Sequence, residues 1–164
     1  MEFLEITGDP EQCFQSIADN LLNKYAIETS DSFYRITEIE FYWHAPGHED
    51  KTTYERKYVD PRSGEWFFHY SGVDIALKSD TGYGGILIKA IWDVSSKKSY
   101  KGPLICVMKL FSGSNAFSDT IKPKIVPYTF FKSGIKRDIR VGLGKNAIEN
   151  DSYKLRYRFF IALC

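Results

Sequence analysis

The chain has 164 residues, enough for one domain (1–164) whose core needs no staple. Hydrophobic residues make up 43% and aromatic residues 16%, against 26% charged, which excludes wholesale disorder and leans toward sheet. Net charge is only +1, yet residues 1–80 carry 7 Lys/Arg against 16 Asp/Glu, and residues 81–164 carry 15 against 5.

That asymmetry has two readings. The basic half, with Lys97, Lys98, Lys136, Arg137 and Arg140 among its cations, is either a face for a polyanion or the internal partner of the acidic half. Three widely spaced cysteines (Cys13, Cys106 and Cys164) form no CxxC pair, so neither a zinc knuckle nor a disulfide framework is indicated. A reduced, cytoplasmic setting follows. The acidic N-terminus is not a signal peptide, and no apolar run approaches the length of a membrane span.

Along the chain, Asp9-Pro10 opens a helix, with Cys13, Phe14, Ile17, Ala18, Leu21, Leu22 and Tyr25 at helical spacing. A polar connector at 28–31 leads to a strand over 33–43. Strict alternation puts Tyr34, Ile36, Glu38, Glu40 and Tyr42 on one face and Phe33, Thr37, Ile39, Phe41 and Trp43 on the core face. A polar loop over 45–62 follows. Strands are predicted at 65–70 and 73–78 around Ser71-Gly72, and at 86–94 after a glycine-rich turn. The apolar run from Pro103 to Phe111 fits a short helix or a strand. Residues 112–134 read as irregular, 139–144 as strand-like, and 153–163 as a closing alternating strand. The whole is an α+β domain with a mostly antiparallel, curved sheet and a few peripheral helices.

Several constellations could carry chemistry. Glu40 beside Tyr42 is a candidate general base against an aromatic wall, and the alternative is a solvated edge strand. Lys89 is a lone cation in the apolar segment Gly84-Gly-Ile-Leu-Ile-Lys-Ala-Ile91, where it needs either a carboxylate such as Glu40 or open solvent. His44 and His48 flank the polar loop with Glu49 and Asp50, but no spacing there specifies a metal. His69 lies among Phe67, Phe68 and Tyr70, where its ring could stack on a planar ligand or join the core. No GxSxG, P-loop or HExxH motif is present.

Taken in order, these blocks resemble the alkyladenine (3-methyladenine) DNA glycosylase family. Arg35-Ile-Thr-Glu-Ile-Glu-Phe-Tyr42 is similar to the family's RIVETEAY strand, which puts Glu40 on the catalytic glutamate and Tyr42 on a base-stacking tyrosine. Ser63-Gly-Glu-Trp-Phe-Phe-His-Tyr-Ser-Gly72 resembles the PGTLYVYxxYG hairpin and sets His69 on a second stacking position. The wedge position before Gly72 is Ser71 here, with Tyr70 beside it as a candidate substitute. Gly85-Ile-Leu-Ile-Lys-Ala-Ile91 resembles CVLLRAL, with Lys89 on an active-site arginine. Arg140-Val-Gly-Leu-Gly144 and Leu155-Arg-Tyr-Arg-Phe-Phe160 resemble RVGV…LRFYV, and His48 stands where the family has a pocket histidine.

The resemblance implies base flipping and hydrolysis of an N-glycosidic bond by a Glu40-activated water, with no cofactor. It implies a monomer whose partner is nucleic acid, DNA first, and no membrane. The alternatives are a non-catalytic nucleic-acid-binding module on the same fold, or a small-molecule- or protein-binding domain.

Overall fold

The computed structural model describes residues 2–53, 62–114, 117, 123–145, 147 and 151–163. Its organising element is β2 (Phe33–Ala45), a strand long enough to meet several partners along one edge. Strand β6 (Tyr83–Asp93) pairs with nearly its whole length on one side. On the other side three short strands follow in turn: β1 (Tyr25–Glu28), β10 (Arg158–Ile161) and β3 (His48–Glu49). Strands β5 (Gly72–Lys78) and β4 (Trp66–His69) extend the sheet beyond β6, β8 (Lys124–Pro127) extends it beyond β1, and β9 (Ile135–Asp138) pairs with β10. Strand β7 (Ser99–Lys101) adds to the far end of β6. Every described pairing is antiparallel, so the architecture is α+β with a curled antiparallel sheet.

Helix α1 (Pro10–Asn23) starts where the sequence predicts it, with the Asp9 carboxylate accepting from the Glu11 N–H at 3.0 Å. It buries Phe14, Ile17, Ala18, Leu21 and Leu22, and Phe14 stacks on Phe41 at 4.4 Å between centroids. Each such side chain removed from water contributes ~1.5–3 kcal/mol. Helix α2 (Pro103–Phe111) resolves the ambiguous apolar run: Pro103 occupies its first turn, and Cys106 and Leu110 are buried. Neither described α-helix is long and apolar enough to cross a membrane.

The predicted alternation along β2 breaks at one place. The β2–β6 register skips Thr37 on one strand and Lys89 on the other, a pair of compensating bulges. Before the bulge Tyr34 and Ile36 join the core, and after it Ile39, Phe41 and Trp43 do. Tyr34 and Ile36 therefore do not share the face of Glu40 and Tyr42, as uninterrupted alternation requires. Three further expectations are corrected. Tyr25 begins strand β1 rather than ending a helix, since Lys24 caps α1. Residues 139–144 are a bent segment, and the strand lies just before them as β9. A single 3-10 turn at Ser152–Lys154 delays the closing strand to β10. The polar loop after β2 is described only at its ends: residues 54–61 lie outside the described residues, as do Lys122 and Cys164.

Two glycines let the elements approach closely. A Cβ at Gly84 would collide with the Tyr42 carbonyl, so only glycine permits β6 to lie against β2 beside the site. A Cβ at Gly72 would lie 2.7 Å from Pro103 Cβ and 2.9 Å from Leu87, where the first turn of α2 seats against the β4–β5 hairpin. Gly84→Ala is expected to lower stability by at least the usual overpacking cost of about 1–3 kcal/mol, read from the urea midpoint.

Candidate active site

Antiparallel partners point to the same face, so the registers place Glu40, Leu87 and Asp74 in one row across β2, β6 and β5. Tyr42 follows Glu40 two residues on, and Lys89 follows Leu87 two residues on, so both side chains share the face of that row. The Glu40 side chain is fully buried and its carboxylate is clasped from three directions. Oε1 lies 3.3 Å from Lys89 Nζ and accepts from the Val141 N–H at 2.9 Å, and Oε2 accepts from the Tyr42 hydroxyl at 2.8 Å. Lys89, 12% exposed, also donates to the Val141 carbonyl at 3.2 Å. Of roughly four acceptor sites on a carboxylate, three are occupied and one remains on Oε2. Burial, followed by the neighbouring Glu40 charge, pushes the Tyr42 phenol far above its ordinary value, so Tyr42 stays protonated and remains a donor.

Above this cluster lies a cavity of about 620 Å³. Tyr42, Leu87 and Lys89 line it from the sheet, and His69, Tyr70 and Ser71 from the end of the β4–β5 hairpin. Gly102 to Ile105 at the start of α2 form one wall, and Val141 to Leu143 form another. Tyr70 and Ser71 make the two-residue turn between His69 and Gly72, and Tyr70 is 78% exposed at the mouth. His69 Nε2 lies 3.1 Å from the fully buried Asp74 carboxylate, and His69 Nδ1 lies 2.8 Å from Ser71 Oγ.

The structure thus brings four of the residues singled out from sequence to the cavity, Tyr42, Lys89, His69 and Tyr70, while Glu40 is fully buried against Tyr42 and Lys89 and does not itself line it. It separates His48 from them. His48 Nδ1 faces the Trp43 carbonyl at 3.1 Å, its Nε2 faces the Tyr157 hydroxyl at 2.6 Å, and its ring stacks on Tyr157, while the cavity lining does not include it. His48 is a corrected assignment: it packs near Phe14, beside the core helix, and not at the cavity.

Arg140 is corrected too. Its guanidinium is fully buried, paired with Asp50 at 2.6 Å and donating to the carbonyls of Phe41 (3.1 Å) and Ser152 (3.0 Å), so it offers nothing to a phosphate. Packed 4.6 Å from the Tyr42 ring centroid, it pins the segment that delivers the Val141 N–H to Glu40. Arg137 is engaged by Glu11 at 2.7 Å and by the Arg156 carbonyl. Lys97, Lys98 and Lys136 are exposed, with Lys97 lying over the Trp92 ring.

Sequence reasoning missed Asp74, Arg140 as an internal pin, and α2 as a wall. The signal for Asp74 was present: a lone acid in the apolar strand Gly72-Val-Asp-Ile-Ala-Leu77 raises the question that Lys89 raised. Among the described residues no group of three or more His, Cys, Asp or Glu side chains could hold a metal. The Cys106 thiol is pushed up to about 12, chiefly by burial, and is no thiolate.

The fold and cavity define an α+β protein with a buried acid–cation pair beneath an aromatic-sided pocket. No family profile matches the chain. It is 30% identical to an uncharacterized protein of Acanthamoeba polyphaga mimivirus, over 61% of this chain and 57% of that relative. The chain therefore spans a little over half the length of the relative it matches.

Removing the pin isolates its contribution. Arg140→Met leaves Asp50 buried without its cation and is expected to cost about 3–5 kcal/mol in chemical denaturation, with a smaller loss in the Asp50→Asn/Arg140→Met double variant.

Proposed function

We propose that this protein is a nucleobase N-glycosylase of the alkyladenine DNA glycosylase type, acting on a damaged or modified base in DNA. The observation that carries the reading is the Glu40 carboxylate, held by Lys89, the Val141 N–H and Tyr42 beside a cavity with flat-ringed sides. An extruded base enters between Tyr42 and His69, where stacking contributes ~1–3 kcal/mol per base. Glu40 does not line the cavity, so the step requires a water admitted past Tyr42 and Lys89 to the remaining site on Oε2; Glu40 takes its proton, and the water oxygen bonds to the anomeric carbon as the glycosidic bond breaks. Lys89, 3.3 Å away, orients the carboxylate. Tyr70, exposed at the turn, fills the gap that the flipped nucleotide leaves. In this reading the protein is a cytoplasmic monomer that works in base excision repair, with Lys97, Lys98 and Lys136 as its free cations for phosphate.

A second reading has a specific observation in its favour. Leu104, Ile105, Val141 and Leu143 make the mouth apolar, and Lys89 is the one Lys or Arg among the described lining residues. A non-catalytic or small-molecule-binding domain on this fold has the same mouth.

Base release from damaged, modified and single-stranded oligonucleotides separates the two. Glu40→Gln is expected to lower release by about 10²–10⁴-fold, the usual range for a general base, while salt-sensitive oligonucleotide binding persists. No release from any substrate, or release unaffected by Glu40→Gln, contradicts the glycosylase.

A further inference from the structure

We propose that Asp74, His69 and Ser71 form a proton relay that delivers a proton to the departing base, fitting this pocket to uncharged nucleobases; the inference rests on the glycosylase reading.

His69 and Ser71 line the cavity, and the buried Asp74 lies on the β5 side of the sheet, away from Glu40. Asp74 is separated from Glu40 by two strand spacings through Leu87, roughly 10 Å between backbones. The fully buried Asp74 Oδ1 lies 3.1 Å from His69 Nε2, so that nitrogen carries hydrogen and donates. The other ring nitrogen, Nδ1, lies 2.8 Å from Ser71 Oγ and also accepts from the Ser71 backbone N–H at 3.4 Å, a longer contact that the charged ring gives up, and both His69 and Ser71 line the cavity. The chain of contacts runs from a buried carboxylate, through an imidazole, to a hydroxyl at the ligand space.

The protonation state of His69 sets what Ser71 presents there. With a neutral ring, Nδ1 accepts from the Ser71 hydroxyl, and Ser71 offers the ligand only lone pairs. With a charged ring, Nδ1–H donates to Ser71 Oγ, and the hydroxyl hydrogen is released toward the ligand. Asp74 is the counter-charge of that second form.

The step balances as follows. A bond forms between the water oxygen and the anomeric carbon, and Glu40 takes the water's proton. The carbon–nitrogen bond breaks and its electron pair goes to the base. The Ser71 hydroxyl proton moves to a ring nitrogen of the base, and the His69 Nδ1 proton moves to Ser71 Oγ. A neutral base would otherwise leave as an anion and depends on this proton. A base that already carries a positive charge leaves as a neutral molecule and does not.

The test compares single-turnover release of hypoxanthine, a neutral base, and 7-methylguanine, a cationic one, from otherwise identical oligonucleotides. Ser71→Ala sits in an exposed turn, and His69→Phe keeps a flat ring while removing both nitrogens. Both variants are expected to lower the hypoxanthine-to-7-methylguanine rate ratio by about 10²-fold, the lower range for a general acid. An unchanged ratio in both variants overturns the relay, because stacking and fold affect the two bases alike. Wild-type release of 7-methylguanine alone also overturns it, and leaves the glycosylase reading standing. Release of neither base overturns both.

Discussion

A carboxylate with no exposed surface must be met by cations and hydrogen-bond donors, and the site is built to that requirement at Glu40. The three partners come from three separate devices. Tyr42 arrives by the two-residue period of β2, and Lys89 arrives from β6, where Leu87 pairs with Glu40 and Lys89 shares its face. The Val141 N–H arrives because Arg140, buried against Asp50 and two carbonyls, fixes the segment that carries it. Loss of any of these would leave a buried charge short of a partner, so the local geometry of two strands and a loop is coupled through one side chain.

The opposed charge of the two halves is met in part by the same kind of pairing. Glu11 meets Arg137, Glu38 meets Arg158, Glu40 meets Lys89 and Asp50 meets Arg140, each a first-half acid with a second-half base. Two of these pairs are well shielded from water, so their charges no longer reach a partner outside. Lys97, Lys98 and Lys136 stay exposed at the surface, as do Lys101, Lys124, Lys132, Lys145, Lys154 and Arg156.

Much of the frame was legible in the sequence because it rests on local rules. Asp9-Pro10 and the apolar spacing after it specify α1, Pro103 opens α2, alternation marks β2, and apolar runs beside turn signals mark β5 and β6. The Glu40–Lys89 pair was legible as a question, since a lone charge in an apolar strand needs a partner. What periodicity could not carry were the bulges at Thr37 and Lys89, which reverse the face of every residue beyond them. Nor could it show whether a given cation faces inward. Arg140 and His48 look like surface ligands in a string of letters and are buried or engaged in the fold, because their partners Asp50 and Tyr157 lie 90 and 109 residues away.

The most direct test of Glu40 as the reacting carboxylate uses the charge that develops on the sugar. An oligonucleotide with a cationic pyrrolidine in place of the abasic sugar is compared with one carrying neutral tetrahydrofuran, by equilibrium binding at fixed salt. The wild-type protein should prefer the cationic ring by about 10²-fold or more, and Glu40→Gln should remove that preference. Equal affinity for the two rings in the wild type, or a preference that survives Glu40→Gln, would contradict the assignment.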